Sequence, residues 1–246
     1  NTTGNYSVAV GELALQANTT GQNVAIGQAA MIANTTGTGN VAIGTYDDNG
    51  LQPLKANTTG DHHVAIGTGA LSANTTADNN TAVGWGALTT TTTATQVTAL
   101  GYRAGQDSTG SSNTFIGFLA GAENSTGDQN TFIGASTAET GVCTGTSNVA
   151  VGSNAANTIA GGFYNTIVGT HAARSLTSGE GHTVVGYSAR RYGAGGSNGT
   201  YIGLYAAPSH TAGRSVYVGE YAGYDATTSD DSVHVGRLAG QNVTTG

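Results

Sequence analysis

The side chains able to do chemistry in this sequence stand apart from one another. Fourteen carboxylates are spread along it, mostly where turns are expected (Asp61, Asp78, Asp107, Asp128, Glu139, Glu180, Asp225). Polysaccharide cleavage needs an acid and a base gathered across one bond, and no such pair is visible. Glu220 and Arg237 occupy matching places in neighbouring repeats and read as a surface ion pair of small energetic value. Asp47-Asp48-Asn49 and Asp230-Asp231 could touch a cation, yet lack the alternating ligand spacing of a calcium loop. His62-His63, His171, His182, His210 and His234 lack metal-ligand spacing and read as surface or strand histidines. Cys143 is single, so intrachain disulfides are excluded and a packed thiol is expected.

Short motifs fail in the same way. Gly186-Tyr187-Ser188-Ala189-Arg190 ends in Arg where a nucleophile elbow needs Gly. Gly37-Thr38-Gly39-Asn40-Val41-Ala42 has dinucleotide-turn spacing but leads into a strand instead of following one. Lys55 lacks the glycines of a phosphate loop. The expectation is a non-enzymatic chain with no catalytic residue, no cofactor and no metal.

What would position such residues is a repeat. Asn23-Val24-Ala25-Ile26-Gly27 returns as Asn40-Val41-Ala42-Ile43-Gly44 and His63-Val64-Ala65-Ile66-Gly67, with looser copies to Ser232-Val233-His234-Val235-Gly236. The closing residues are Gly11, Gly27, Gly44, Gly67, Gly84, Gly101, Gly117, Gly134, Gly152, Gly169, Gly186, Gly203, Gly219 and Gly236. Twelve of the thirteen intervals are 16 to 18 residues and one is 23. β-Branched residues, a period of two and a closing Gly describe a short strand running into a corner. No stretch carries the 3.6-residue apolar period of a long helix. The fold class is therefore all-β, a parallel β-solenoid of about fourteen coils with a period near 17, continuous over residues 1–246. At about 4.8 Å per coil it would be roughly 65 Å long.

The residue before each Gly is aliphatic, and the third before it is Val or Thr. These are assigned to the inside, against the Ala that follows most corners. The residue two before the Gly then points outward: Ala25, Ala42, Phe115, Phe132, Ile167, Val184, Tyr201 and Tyr217 among others. A strand apolar on both faces is buried on both, so these eight are expected to meet another copy of the chain in a homo-oligomer.

The turns between are rich in Asn, Thr, Ser and Gly, as in Asn18-Thr19-Thr20-Gly21. Asn18, Asn34, Asn57, Asn74 and Asn198 match the glycosylation pattern, but a repeated turn explains the match without a glycan. The 23-residue interval holds an insertion at residues 45–56, whose Tyr46, Asp47, Asp48, Asn49, Gln52 and Lys55 form a candidate binding loop. A polar loop at residues 89–95 contains five successive threonines, Thr89 to Thr93. The larger aromatics and all the arginines lie from Trp85 onward, so a more decorated second half is expected. Thr81, Thr98, Thr114 and Thr131 form a file that raises an ice-binding alternative, weakened by the aliphatics assigned to the same face.

Composition narrows the function classes. With a formal net charge of -7, one lysine and six scattered arginines, nucleic-acid or anionic-membrane binding is disfavoured. No apolar run approaches membrane-spanning length. The Asn-x-Val-Ala-Ile-Gly-x-x-Ala unit with Asn-Thr-Thr-Gly spacers resembles the head repeats of YadA-like trimeric autotransporter adhesins and related bacteriophage tail-fibre repeats, over essentially the whole chain. That resemblance implies a left-handed β-roll, three chains around one axis, and an extracellular place on a cell or virion surface. It also implies attachment to a protein or glycan target, or a spacer role. Both ends fall in register, Asn1-Thr2-Thr3-Gly4 and Thr244-Thr245-Gly246, so a segment of a longer fibre, or end-to-end stacking, is expected. A polysaccharide-processing β-solenoid is the rival class.

Overall fold

A computed structural model describes residues 6–244. The expected end turns at residues 1–4 and 245–246 lie outside the described residues. The chain divides into two compact units, Asn1–Ala122 and Glu123–Gly246. Unit 1 holds seven strands: β1 Val8–Val10, β2 Val24–Ile26, β3 Val41–Ile43, β4 Val64–Ile66, β5 Thr81–Val83, β6 Thr98–Leu100 and β7 Thr114–Ile116. Unit 2 holds seven more: β8 Thr131–Ile133, β9 Val149–Val151, β10 Thr166–Val168, β11 Thr183–Val185, β12 Thr200–Ile202, β13 Val216–Val218 and β14 Val233–Val235. Within each unit successive strands pair in parallel without offset, so equivalent residues stack in files. Each coil is thus one three-residue strand, a glycine corner and a return path of turns. No helix among the described residues is long and apolar enough to cross a membrane.

The corner glycines do what their spacing predicts. Gly67 has φ +119°, and a Cβ placed on it would sit 2.7 Å from the Gly84 carbonyl oxygen of the next coil. Both backbone conformation and coil spacing therefore demand glycine there. The sequence pattern gave no warning that other residues share this conformation. Leu15, Met31, Leu71 and Leu88, each four after a corner glycine, have φ between 51° and 53°. Left-handed leucine costs roughly 1–2 kcal/mol, and burial of the same side chains offsets it.

The strand directions are the reverse of the sequence expectation. The middle residue of the strand points inward. Ala25, Ala42, Phe115, Phe132, Ile167, Val184, Tyr201 and Tyr217 are all fully buried within their own coils and form no intersubunit face. The flanking residues point out: Val10 is 55% exposed, Leu100 48% and Ile26 37%. The reason is volume. The coil interior is narrow, and in several coils the strand side chain and one from the return turn are matched in size. Where the strand offers Ala, as at Ala65 and Ala82, the turn supplies buried Leu71 and Leu88. Where it offers Phe115, the turn residues are Gly105 and Gly121, and a Cβ on either would strike the Phe115 ring. Tyr217 with Gly223 and His234 with Gly240 repeat the exchange in unit 2.

This matching predicts non-additive energetics. Gly121→Leu alone should destabilise by about 1–3 kcal/mol through overpacking. Combined with Phe115→Ala, the total loss should fall short of the sum of the two single losses by more than about 1 kcal/mol. A double-mutant cycle in denaturant checks it, and simple additivity would contradict the inward placement.

Candidate interaction surface

Any surface this chain presents is held in place by two files of polar side chains inside the coils. In unit 1 the first file is Asn18, Asn34, Asn57 and Asn74, all buried. The Nδ2 groups of Asn34, Asn57 and Asn74 donate to the Oδ1 atoms of Asn18, Asn34 and Asn57 at 2.7, 2.8 and 2.8 Å. Asn34 and Asn57 also donate to the carbonyls of Gly37 and Gly60, closing their turns. Thr91, inside the threonine loop, continues the pattern by donating to the Ser108 carbonyl at 2.7 Å. Asn18, Asn34, Asn57 and Asn74, which match the glycosylation pattern, are therefore inaccessible structural groups, while Asn198 is exposed.

The second file runs just ahead of the strands. In unit 1, Asn23 Oδ1 accepts from Asn40 N at 3.0 Å and Asn40 Oδ1 from His63 N at 2.8 Å. In unit 2, Asn130 Oδ1 accepts from Asn148 N at 2.9 Å, Asn148 from Asn165 N at 3.1 Å and Asn165 from His182 N at 3.0 Å. Each side-chain NH₂ reaches across to a turn carbonyl, for example Asn40 to Gly60 at 2.9 Å and Asn148 to Gly162 at 2.7 Å. His63 and His182 replace asparagine in this file instead of lying on the surface. Their Nδ1 atoms accept from Asn80 N at 3.2 Å and Gly199 N at 3.1 Å. Nε2 then carries the proton, bonded to Ala77 O at 2.6 Å and Gly196 O at 3.1 Å. Both rings are held neutral. Burial lowers the His63 pKa; burial, with Arg190 nearby, lowers that of His182 to about 4.

Arg190 was not legible as an interior residue, yet it is fully buried. It donates to the carbonyls of Gly193, at 3.3 Å, and Gly195, and its guanidinium lies 5.1 Å from the Tyr201 ring centroid. Tyr201 in turn bonds His210 Nδ1 at 2.9 Å.

The outer surface carries three features. The first is the outward strand face, where the residue before every corner glycine is aliphatic and the third before it is Val or Thr. Thr81, Thr98 and Thr114 in unit 1 and Thr131 in unit 2 lie on this face, outside the coil. The second is the insertion. Asp47 Oδ1 accepts from Asn49 N and Leu51 N at 3.1 and 2.8 Å, and Lys55 donates to the Gly50 carbonyl at 3.0 Å. Gln52 is turned inward and buried, so it is removed from the candidate binding loop; Tyr46, Asp48 and Asn49 remain exposed. The third is aromatic. Trp85, Tyr102 and Phe118 stack at 5.2 and 5.3 Å in unit 1, with Arg103 over Trp85. Tyr205 stacks on Tyr221 at 5.6 Å in unit 2, with Tyr224 edge-on at 6.2 Å.

The Glu220–Arg237 pair expected from the sequence is present, and a second ion pair joins it. Glu220 pairs with Arg237 at 3.3 Å and Asp231 with Arg214 at 3.0 Å, both exposed. Burial raises the Cys143 thiol pKa to about 11. Among the described residues no three His, Cys, Asp or Glu side chains are grouped to hold a metal.

Compared with protein-family models, curated proteins and solved structures, the chain matches none of them.

The buried histidines make stability depend on pH. Between its ordinary value near 6.5 and its folded value of about 4, His182 is protonated in the unfolded chain but not in the folded one. Stability should therefore fall as the pH drops through that window and level off below it, by at most roughly 3 kcal/mol for this residue. His182→Asn restores the residue that usually fills the file and should flatten that slope, as measured by denaturant titrations at stepped pH. An unchanged slope would place the acid sensitivity elsewhere.

Proposed function

We propose that the chain is a structural and adhesive segment of an extracellular β-roll fibre, assembled as a homotrimer through the outward faces of its strands. The observation that carries this reading is the aliphatic row left exposed on those faces, including Val10, Ile26, Ile66, Leu100, Val168 and Ile202, beside a row of Val and Thr. Soluble chains rarely leave such rows in water. Fully burying an aliphatic side chain is worth about 1.5–3 kcal/mol, so even partial burial summed over many coils favours a permanent assembly. The rows repeat with the coil, so one copy can lie along another over many repeats. The resemblance to YadA-like head and tail-fibre repeats supports the number three and the surface location. The hydrogen-bonded files within each unit support stiffness.

Outward threonines also bear on the ice-binding alternative. Val8, Val24, Val41 and Val64 fill the threonine position through the first four strands, and the neighbouring file carries no hydroxyls. No thermal hysteresis is expected, and a clear hysteresis gap would overturn the assembly reading of this face.

Adjacent residues separate assembly from folding. Sedimentation of the native chain should give a trimer. Ile66→Asp, on the outer face, should yield a folded monomer or a strongly weakened assembly. Ala65→Asp, one residue away and inward, should unfold its coil. A well-behaved native monomer would remove the basis of the proposal.

A further inference from the structure

Unit 2 contains a cleft of about 380 Å³ built by the return turns after β11, β12 and β13. We propose that this cleft, lined by Arg191, Tyr192, Tyr205, Ser209, Tyr224 and Asp225, binds a neutral pyranose ring of a glycan. The inference rests on the adhesive reading above and names the chemistry of its receptor.

The lining sets three demands on an occupant. Tyr192, Tyr205 and Tyr224 line the space, and aromatic side chains suit the C–H face of a sugar ring. Arg191 supplies donors only and Asp225 acceptors only. Neither is neutralised by an ion pair, since the described salt bridges are Arg214–Asp231 and Glu220–Arg237. The Arg191 guanidinium lies 5.1 Å from the Tyr192 ring centroid, and its buried Nε has no partner within the protein. A hydroxyl both donates and accepts, so a polyol satisfies Arg191 and Asp225 together. A carboxylate would meet Asp225 and an amine would meet Arg191, each with a like charge. The volume lies within the ~300–1,000 Å³ of small-ligand clefts, which leaves room for one ring and part of its neighbours.

The cleft is also held rigid before any ligand arrives. Tyr192 N donates to Pro208 O at 2.7 Å, Tyr205 N to Tyr187 O at 3.0 Å and Asp225 N to Gln241 O at 2.8 Å. Tyr205 is fixed against Tyr221 and Tyr224. A single weak site of this kind, repeated on every copy in an assembly, would act through multivalency.

The test is saturation-transfer NMR and titration of the full chain with the methyl pyranosides of glucose, galactose, mannose and N-acetylglucosamine. Methyl glucuronide and phosphocholine serve as charged comparators. At least one neutral pyranoside should bind in the millimolar range. Tyr224→Ala and Asp225→Asn should each weaken it about tenfold or more, the loss expected for a hydrogen bond to a charged group or for an aromatic contact, with melting and sedimentation unchanged. Binding of none of the neutral pyranosides overturns the proposal, as does tighter binding of a charged comparator or native affinity in both variants. Labelled protein applied to glycan-coated and cell surfaces separates the two levels. Attachment that neither pyranosides nor the variants alter defeats the pyranose site and leaves the adhesive reading standing. Absence of attachment by the native chain defeats the adhesive reading itself.

Discussion

The structure depends on satisfying backbone groups inside a very narrow coil. Only three residues of each repeat of about seventeen lie in a strand, so most N–H and C=O groups sit in turns and corners, many without access to water. An unpaired buried polar group costs about 1–3 kcal/mol, and a chain of such turns would not hold without partners for them. The buried asparagines supply those partners. Each can accept from one neighbour and donate to two, so a side-chain amide file does for the corners what parallel pairing does for the strands. His63 and His182 can stand in the same file because an imidazole held as the Nε2–H tautomer offers one acceptor and one donor on opposite sides.

Once the corners are fixed, the interior volume is fixed as well. Ala65 and Ala82 meet Leu71 and Leu88, Phe115 meets Gly105 and Gly121, and Tyr201 is accommodated with His210 through a hydrogen bond. The β-branched residues flanking the central strand position are thereby directed outward. The same constraint that specifies the coil thus generates an aliphatic outer face. The assembly proposed above would then follow from the width of the coil and need no dedicated interface motif.

Much of this was legible in the sequence, and the error is instructive. Period, strand position, corner glycines and parallel stacking follow from the recurrence of Val-Ala-Ile-Gly alone. The direction of the strand residues does not, because alternation says which residues share a face but not which face is inside, and both faces are largely apolar here. The signal that corrects this was present. At Phe115, Tyr217 and His234, where the middle strand residue grows, the residue six later is Gly121, Gly223 and Gly240. Two positions exchanging volume in this way must share one space. Asn18, Asn34 and Asn57 read as turn chemistry in the sequence, and their further role in a file shows only in the structure, since their partners lie one coil away. Arg190 and the tyrosine cleft carried no periodic signal, because they occur in single coils and depend on neighbours that only the stacking brings together.

The central claim is the direction of adjacent strand residues, and thiol accessibility tests it most directly. Cys143 is buried with its pKa raised to about 11, so the native chain gives little background labelling. In the folded, dissociated chain, a cysteine at Ile66→Cys should react quickly with a maleimide, and a cysteine at Ala65→Cys should stay protected until the coil unfolds. In the assembled protein the Ile66→Cys thiol should become slow as well. Fast labelling of Ala65→Cys in the folded protein, with Ile66→Cys protected even when dissociated, would contradict the account.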